Sequence, residues 1–74
     1  MGQPRVRYAI PQQSPVRLTV FDLQGREVTV LVDEVKMAGW HEVSFNGQHL
    51  SSGTYFYQLR SGSTVLSHTL MLLK

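Results

Sequence analysis

Apolar side chains in this chain recur at every second position, and that period governs what it can fold into. Val6, Tyr8 and Ile10 alternate with Arg5, Arg7 and Ala9. Val16, Leu18 and Val20 alternate with Arg17 and Thr19. Val28, Val30 and Val32 follow Arg26 and Glu27, and Val43 and Phe45 alternate with Glu42 and Ser44. Tyr55, Tyr57 and Leu59 alternate with Thr54, Gln58 and Arg60. A period of two puts one set of side chains on one face of an extended strand, whereas a helix needs a period of 3.6. The β-branched and aromatic residues that fill these runs suit a pleated surface.

Turn chemistry separates the runs. Pro11 and Pro15 lack the N–H that a sheet ladder needs. Asp22-Leu23-Gln24-Gly25 reads as a hairpin loop with Gly25 left-handed. Asn46-Gly47 and Ser52-Gly53 are further turn signals, and Ser61-Gly62 reads as a tight two-residue hairpin. Six strands are therefore predicted, near 5–10, 16–22, 26–32, 40–46, 54–60 and 64–73. A seventh is sought near 31–36, and 33–39 reads as a loop or one helical turn. Short antiparallel strands at this spacing predict an all-β sandwich or small barrel. In the last run Leu66, His68, Leu70 and Leu72 alternate with Val65, Ser67, Thr69 and Met71, and the run is apolar on both faces through Leu73. Such a strand is expected in the middle of a sheet, or as a segment read by a partner.

Seventy-four residues allow one domain. We divide the chain into residues 1–4, a linker remnant or added start, and the domain, 5–74. A chain this short buries only about 60% of the surface its unfolded form exposes, and without cysteine it has no disulfide to reinforce it. With 42% apolar and 16% charged residues, the composition is that of a globular domain. The formal charge of +2 is spread from Arg5 to Lys74, with none of the clustering of a nucleic-acid interface, so no nucleic acid is expected. The longest apolar run, Leu70 to Leu73, is far below the 18 or so residues of a membrane-spanning helix, and no signal peptide is read at the start.

Catalytic arrangements are missing. There is no cysteine nucleophile, G-x-S-x-G elbow, P-loop or G-x-G-x-x-G. Asp33 and Glu34 are adjacent, but neighbours in an extended segment point apart. His41, His49 and His68 lack zinc-ligand spacing, so neither metal nor cofactor is expected and the chain is read as non-enzymatic. Trp40, Tyr55 and Tyr57 offer an aromatic platform for sugar, although a lone Trp in so small a domain is expected in the core. Arg7, Arg17, Arg26 and Arg60 fall opposite the apolar positions, on a solvent face that an acidic partner could use.

Three blocks and a tail resemble a known family in order and spacing. Val16-Arg-Leu-Thr-Val-Phe-Asp-Leu-Gln-Gly-Arg-Glu-Val28 resembles the L-x-V-Y-D-x-x-G-R-x-V motif of type IX secretion system type A C-terminal sorting domains, shared with the Ig-like domain of flagellar hook-capping proteins. Val6-Arg-Tyr-Ala-Ile-Pro11 is similar to the opening I-x-Y-x-L-P. Leu50-Ser-Ser-Gly-Thr-Tyr-Phe-Tyr-Gln-Leu59 is similar to L-x-x-G-x-Y-x-Y-x-L, and Leu70-Met-Leu-Leu-Lys74 to the terminal K-M-x-L-x-K. His68 and Thr69 stand where that tail often has a basic pair, and the family's upstream N-P-F-N-P segment is not in this chain.

The resemblance implies an immunoglobulin-like or fibronectin III-like antiparallel sandwich of six to seven strands. It also implies a role as a secretion signal that outer-membrane machinery recognises and a sortase-like protease removes. The parent, expected to be an extracellular hydrolase, would be released or attached at the cell surface. Carried onto this chain, the recognition elements are Asp22, Gly25 and Arg26, then Gly53 and Tyr55, then Leu70, Met71, Leu72, Leu73 and Lys74. Physically, the same residues build the fold: Asp22 and Gly25 shape the hairpin, and Arg26 is placed to hydrogen-bond Asp22 or loop carbonyls. The alternatives are a hook-capping type structural or adhesion module and a carbohydrate-binding accessory module. The oligomeric state is left open.

Overall fold

The computed structural model describes residues 5–47 and 49–73. Six strands form: β1 (Arg5–Ile10), β2 (Ser14–Phe21), β3 (Glu27–Lys36), β4 (Gly39–Ser44), β5 (Gly53–Ser61) and β6 (Thr64–Leu72). No helix occurs among the described residues. β1 and β4 make a two-stranded sheet, and β3-β2-β5-β6 make a four-stranded one. Every pairing is antiparallel. The result is the all-β, Ig-like sandwich that the period of two and the resemblance imply.

The alternating positions become the core. Val6, Tyr8, Ile10, Val16, Leu18, Val32 and Leu59 form one buried cluster, and Val20, Phe45, Tyr55, Leu70 and Leu72 form a second. Leu31 and Tyr57 pack against both clusters and join them into one interior. The Phe45 and Tyr55 rings meet edge to face with centroids 6.4 Å apart, a geometry that suits their quadrupoles.

Residues 33–36 are neither loop nor helical turn. They continue β3, and Pro15 to Leu18 face Val35 to Val32 across the ladder. The pairing shifts register between Leu18 and Thr19 and again between Val20 and Phe21. These bulges bend one long strand where the sequence suggested two short ones, so no separate seventh strand forms. The last hairpin turns one residue later than expected: Ser61 pairs with Thr64, and Gly62, with φ +60°, opens the two-residue loop.

Gly47 is not a left-handed turn residue. It is buried, and a β-carbon there would lie 2.6 Å from Leu72 Cδ2, so its missing side chain is what admits Leu72. Trp40 departs most from expectation. It is 70% exposed, because it stands at an outward position of β4 opposite Ala9, with the Arg7 guanidinium 5.3 Å from its ring. β6 is not central either. Among the described residues it pairs with β5 alone and forms one edge of the four-stranded sheet.

Candidate partner-recognition surface

Asp22 organises the β2–β3 hairpin. Its Oδ1 accepts the N–H groups of Gln24 and Arg26, each at 2.9 Å, and its Oδ2 accepts Arg26 Nε at 3.0 Å. Two backbone bonds at 3.0 Å, Asp22 N–H to Arg26 O and Gly25 N–H to Asp22 O, close the loop. Gly25 has φ +84°, which lets the chain turn back toward Arg26 without a β-carbon clash. The Arg26 N–H holds the Asp22 carboxyl below the usual carboxylate range, helped by the Arg26 guanidinium and the Gln24 N–H and opposed by partial desolvation. The D-x-x-G-R spacing is thus a self-contained hydrogen-bonded loop.

Gly53 opens β5 with φ +151°. Two residues on, the Tyr55 ring is buried and its hydroxyl donates to Ser51 O at 2.8 Å, which ties the incoming loop to the strand. In β6, Leu70 and Leu72 face Tyr55 and Gly53 across the ladder and are buried, whereas Met71 and Leu73 are exposed. Met71 Sδ accepts the Thr54 hydroxyl at 3.2 Å. Lys74 lies outside the described residues.

The register brings these blocks together. Phe21, the last residue of β2, faces Phe56, Phe56 faces Thr69, and residues 53–55 face residues 70–72. The hairpin at residues 22–26, the start of β5 and the end of β6 therefore share one end of the four-stranded sheet. Within the set, Tyr55, Leu70 and Leu72 are inside, Asp22 and Gly53 are half-buried, and Gly25, Arg26, Met71 and Leu73 can be touched from outside.

Three residues of the quoted blocks that the sequence reading did not choose as recognition elements join this surface. Phe21 and Phe56 stack on the outer face with centroids 5.5 Å apart, and Leu23 is 67% exposed at the hairpin tip. Their signal was present. Phe21 and Phe56 are aromatics at the solvent phase of the alternation, and Leu23 is an apolar residue in a polar turn.

The other candidates scatter. Arg17 bridges Glu27 at 3.6 Å and Asp33 at 3.5 Å, Arg7 covers Trp40, and Arg60 lies directly opposite Arg17. Trp40 and Tyr57 line one open cavity of about 210 Å³ with His68 and Leu66, while Tyr55 is in the core, so the three rings do not form one platform. The His41 ring pairs with Met37 O at 2.8 Å, and His68 packs against Tyr57. Among the described residues no group of three His, Cys, Asp or Glu is placed to hold a metal ion.

Among known proteins, the family model for the secretion system C-terminal sorting domain matches residues 5–73. No curated protein matches the chain, and no solved structure does. That family match spans all six strands, the locked hairpin and the end of β6. The chain accordingly belongs to the C-terminal sorting domains of the type IX secretion system, the signals by which proteins engage that machinery and cross the outer membrane to the cell surface or medium.

Proposed function

We propose that the motif-bearing end of the four-stranded sheet is what the outer-membrane machinery reads. The observation that carries this is the convergence of the hairpin, the start of β5 and the end of β6 at one end. Asp22, Gly25, Gly53, Tyr55, Leu70 and Leu72 hold the surface in shape. Arg26, Met71 and Leu73, with Leu23 and the Phe21–Phe56 pair, supply the contacts, and Lys74 completes the tail. Exposed apolar groups beside one guanidinium suit a partner site that is apolar with an acidic rim.

The domain itself performs no chemistry in this reading. Its parent is an extracellular hydrolase, and a sortase-like protease separates the two when the parent is released or attached at the surface. The test is export of a reporter fused ahead of residues 5–74 in a type IX-competent bacterium. Met71→Asp with Leu73→Asp is expected to strand the folded fusion in the periplasm. Undiminished export by that double variant overturns the assignment.

A carbohydrate-binding reading is favoured only by the exposed Trp40 ring beside Tyr57. The cavity there is smaller than the roughly 300–1,000 Å³ of ordinary small-molecule sites. A glycan titration followed at the Trp40 indole N–H decides it, since an unmoved resonance removes the reading.

A further inference from the structure

We propose that the free edge of β6 is where two copies of this domain pair, antiparallel, about a twofold axis at His68. The first ground is that this edge lacks the usual protection. Native sheets guard their edges with charges, proline, bulges or brevity. β6 is nine residues long, pairs with β5 in continuous register, and contains no Asp, Glu, Lys, Arg, Pro or Gly. The opposite edge of the same sheet, β3, carries Glu27, Asp33, Glu34 and Lys36 and is bent by two register shifts. The small sheet has Arg5 and Arg7 on β1 and Glu42 on β4.

The second ground is the order of the side chains. Outward from His68 come Ser67 and Thr69, then Leu66 and Leu70, then Val65 and Met71. In chemical class the segment is a palindrome. A twofold contact requires that property, because residue i meets residue j while j meets i. With the two His68 residues opposite, Leu66 faces Leu70 of the second copy, Val65 faces Met71, and Ser67 faces Thr69. Alternation keeps Leu66 and Leu70 on the core side and Val65 and Met71 on the outer side. Val65, 48% exposed, and Met71, 57% exposed, thereby cover each other, and Leu66, also 48% exposed, is covered by Leu70 of the second copy. Such cross-strand apolar pairs are the stabilising unit of a sheet.

Charge favours a second copy at this edge over the others. A self-paired β1 gathers Arg5 and Arg7 of both copies at one seam, whereas a self-paired β6 brings no fixed charges together. A single strand seam falls at the small end of interface sizes, below about 1,200 Å² in total, so the dimer is weak and concentration-dependent. It does not depend on the export role, and it can be tested on purified chain.

Sedimentation of the full chain over a wide concentration series should show reversible passage from monomer to dimer. His68→Lys alone and His68→Glu alone each put like charges face to face, and each should weaken the dimer by a few-fold or more. An equal mixture of the two should associate again, which a merely structural defect would not allow. The chain has no cysteine, so His68→Cys reports without interference. Facing residues across antiparallel strands have α-carbons about 4.5–5.5 Å apart, within disulfide range, so this variant should cross-link readily and Arg60→Cys should not. Monomer at every concentration overturns the proposal. So does a dimer that the mixed pair fails to restore, or one that cross-links no faster through residue 68 than through residue 60.

Discussion

Asp22 is an acid whose value is spent on its own loop. Its carboxylate is worth more folded than unfolded, because Arg26 and Gln24 donate to it only in the folded hairpin. A depressed folded pKa means that its contribution is complete above the unfolded value of about 3.9 and disappears as pH falls through the folded one. The Arg26 amide resonance, followed by NMR, should therefore hold steady from neutral pH to about pH 4 and move below it. In Asp22→Asn that acid transition should be gone. Gly47 makes the opposite kind of contribution, through absence. Gly47→Ala drives a methyl group against the buried end of Leu72, and overpacking of this kind should cost roughly 1–3 kcal/mol in denaturant melts. Trp40, expected in the core on composition, should behave as a surface residue. Its emission should lie near that of free tryptophan, and Trp40→Ala should cost no more than about 1 kcal/mol, mostly the contact with Arg7.

At the level of the strand, β6 divides by face and by length. Leu70 and Leu72 anchor it in the second core cluster, while Val65 and Leu66 are left open. Leu72→Ala should therefore cost about 2–5 kcal/mol, and in a domain this small that is a large part of its whole stability. Met71→Ala and Leu73→Ala should stay within about 0.5 kcal/mol of the parent in the same melts. The export assay separates the two classes. Leu72→Ala should fail through unfolding, whereas the exposed pair should affect recognition with the fold intact. β3 shows why strand boundaries were hard to read. Its bulges interrupt the alternation near Leu31, and Asp33 and Glu34 read as loop until β2 supplies a partner.

For the whole molecule, the two core clusters share Leu31 and Tyr57 and so should melt as one. Circular dichroism and a Tyr55 ring resonance should report coincident transitions, the standard sign of two-state unfolding. Two separated transitions would mean that the β1–β4 sheet detaches independently. Sheets closed by non-local pairs such as β1 with β4 also fold slowly for their size, in milliseconds to seconds. The same architecture gathers the proposed recognition surface. β2 runs toward the hairpin, β5 starts beside it, and β6 returns to the same end, so three blocks distant in sequence become neighbours.

The sequence by itself determined the strand class, most of the core and the locked hairpin. These depend on local rules: a period of two sorts side chains by face, and the D-x-x-G-R spacing closes a hydrogen-bonded loop with no help from elsewhere. The motif blocks were legible too, and they carried the family. Only the tertiary structure decided which strands lie at an edge, because neighbours in a sheet are set by long-range pairing that no local pattern records. That is why β6, apolar on both faces toward its end, was expected in the middle and stands at the rim. Trp40 follows the same logic: whether a large ring is buried depends on what crosses over it, and no described strand crosses over the outer face of the β1–β4 sheet. The division of the candidate residues into buried Tyr55, Leu70 and Leu72 and exposed Met71 was decided there as well, by which face of each strand met the other sheet.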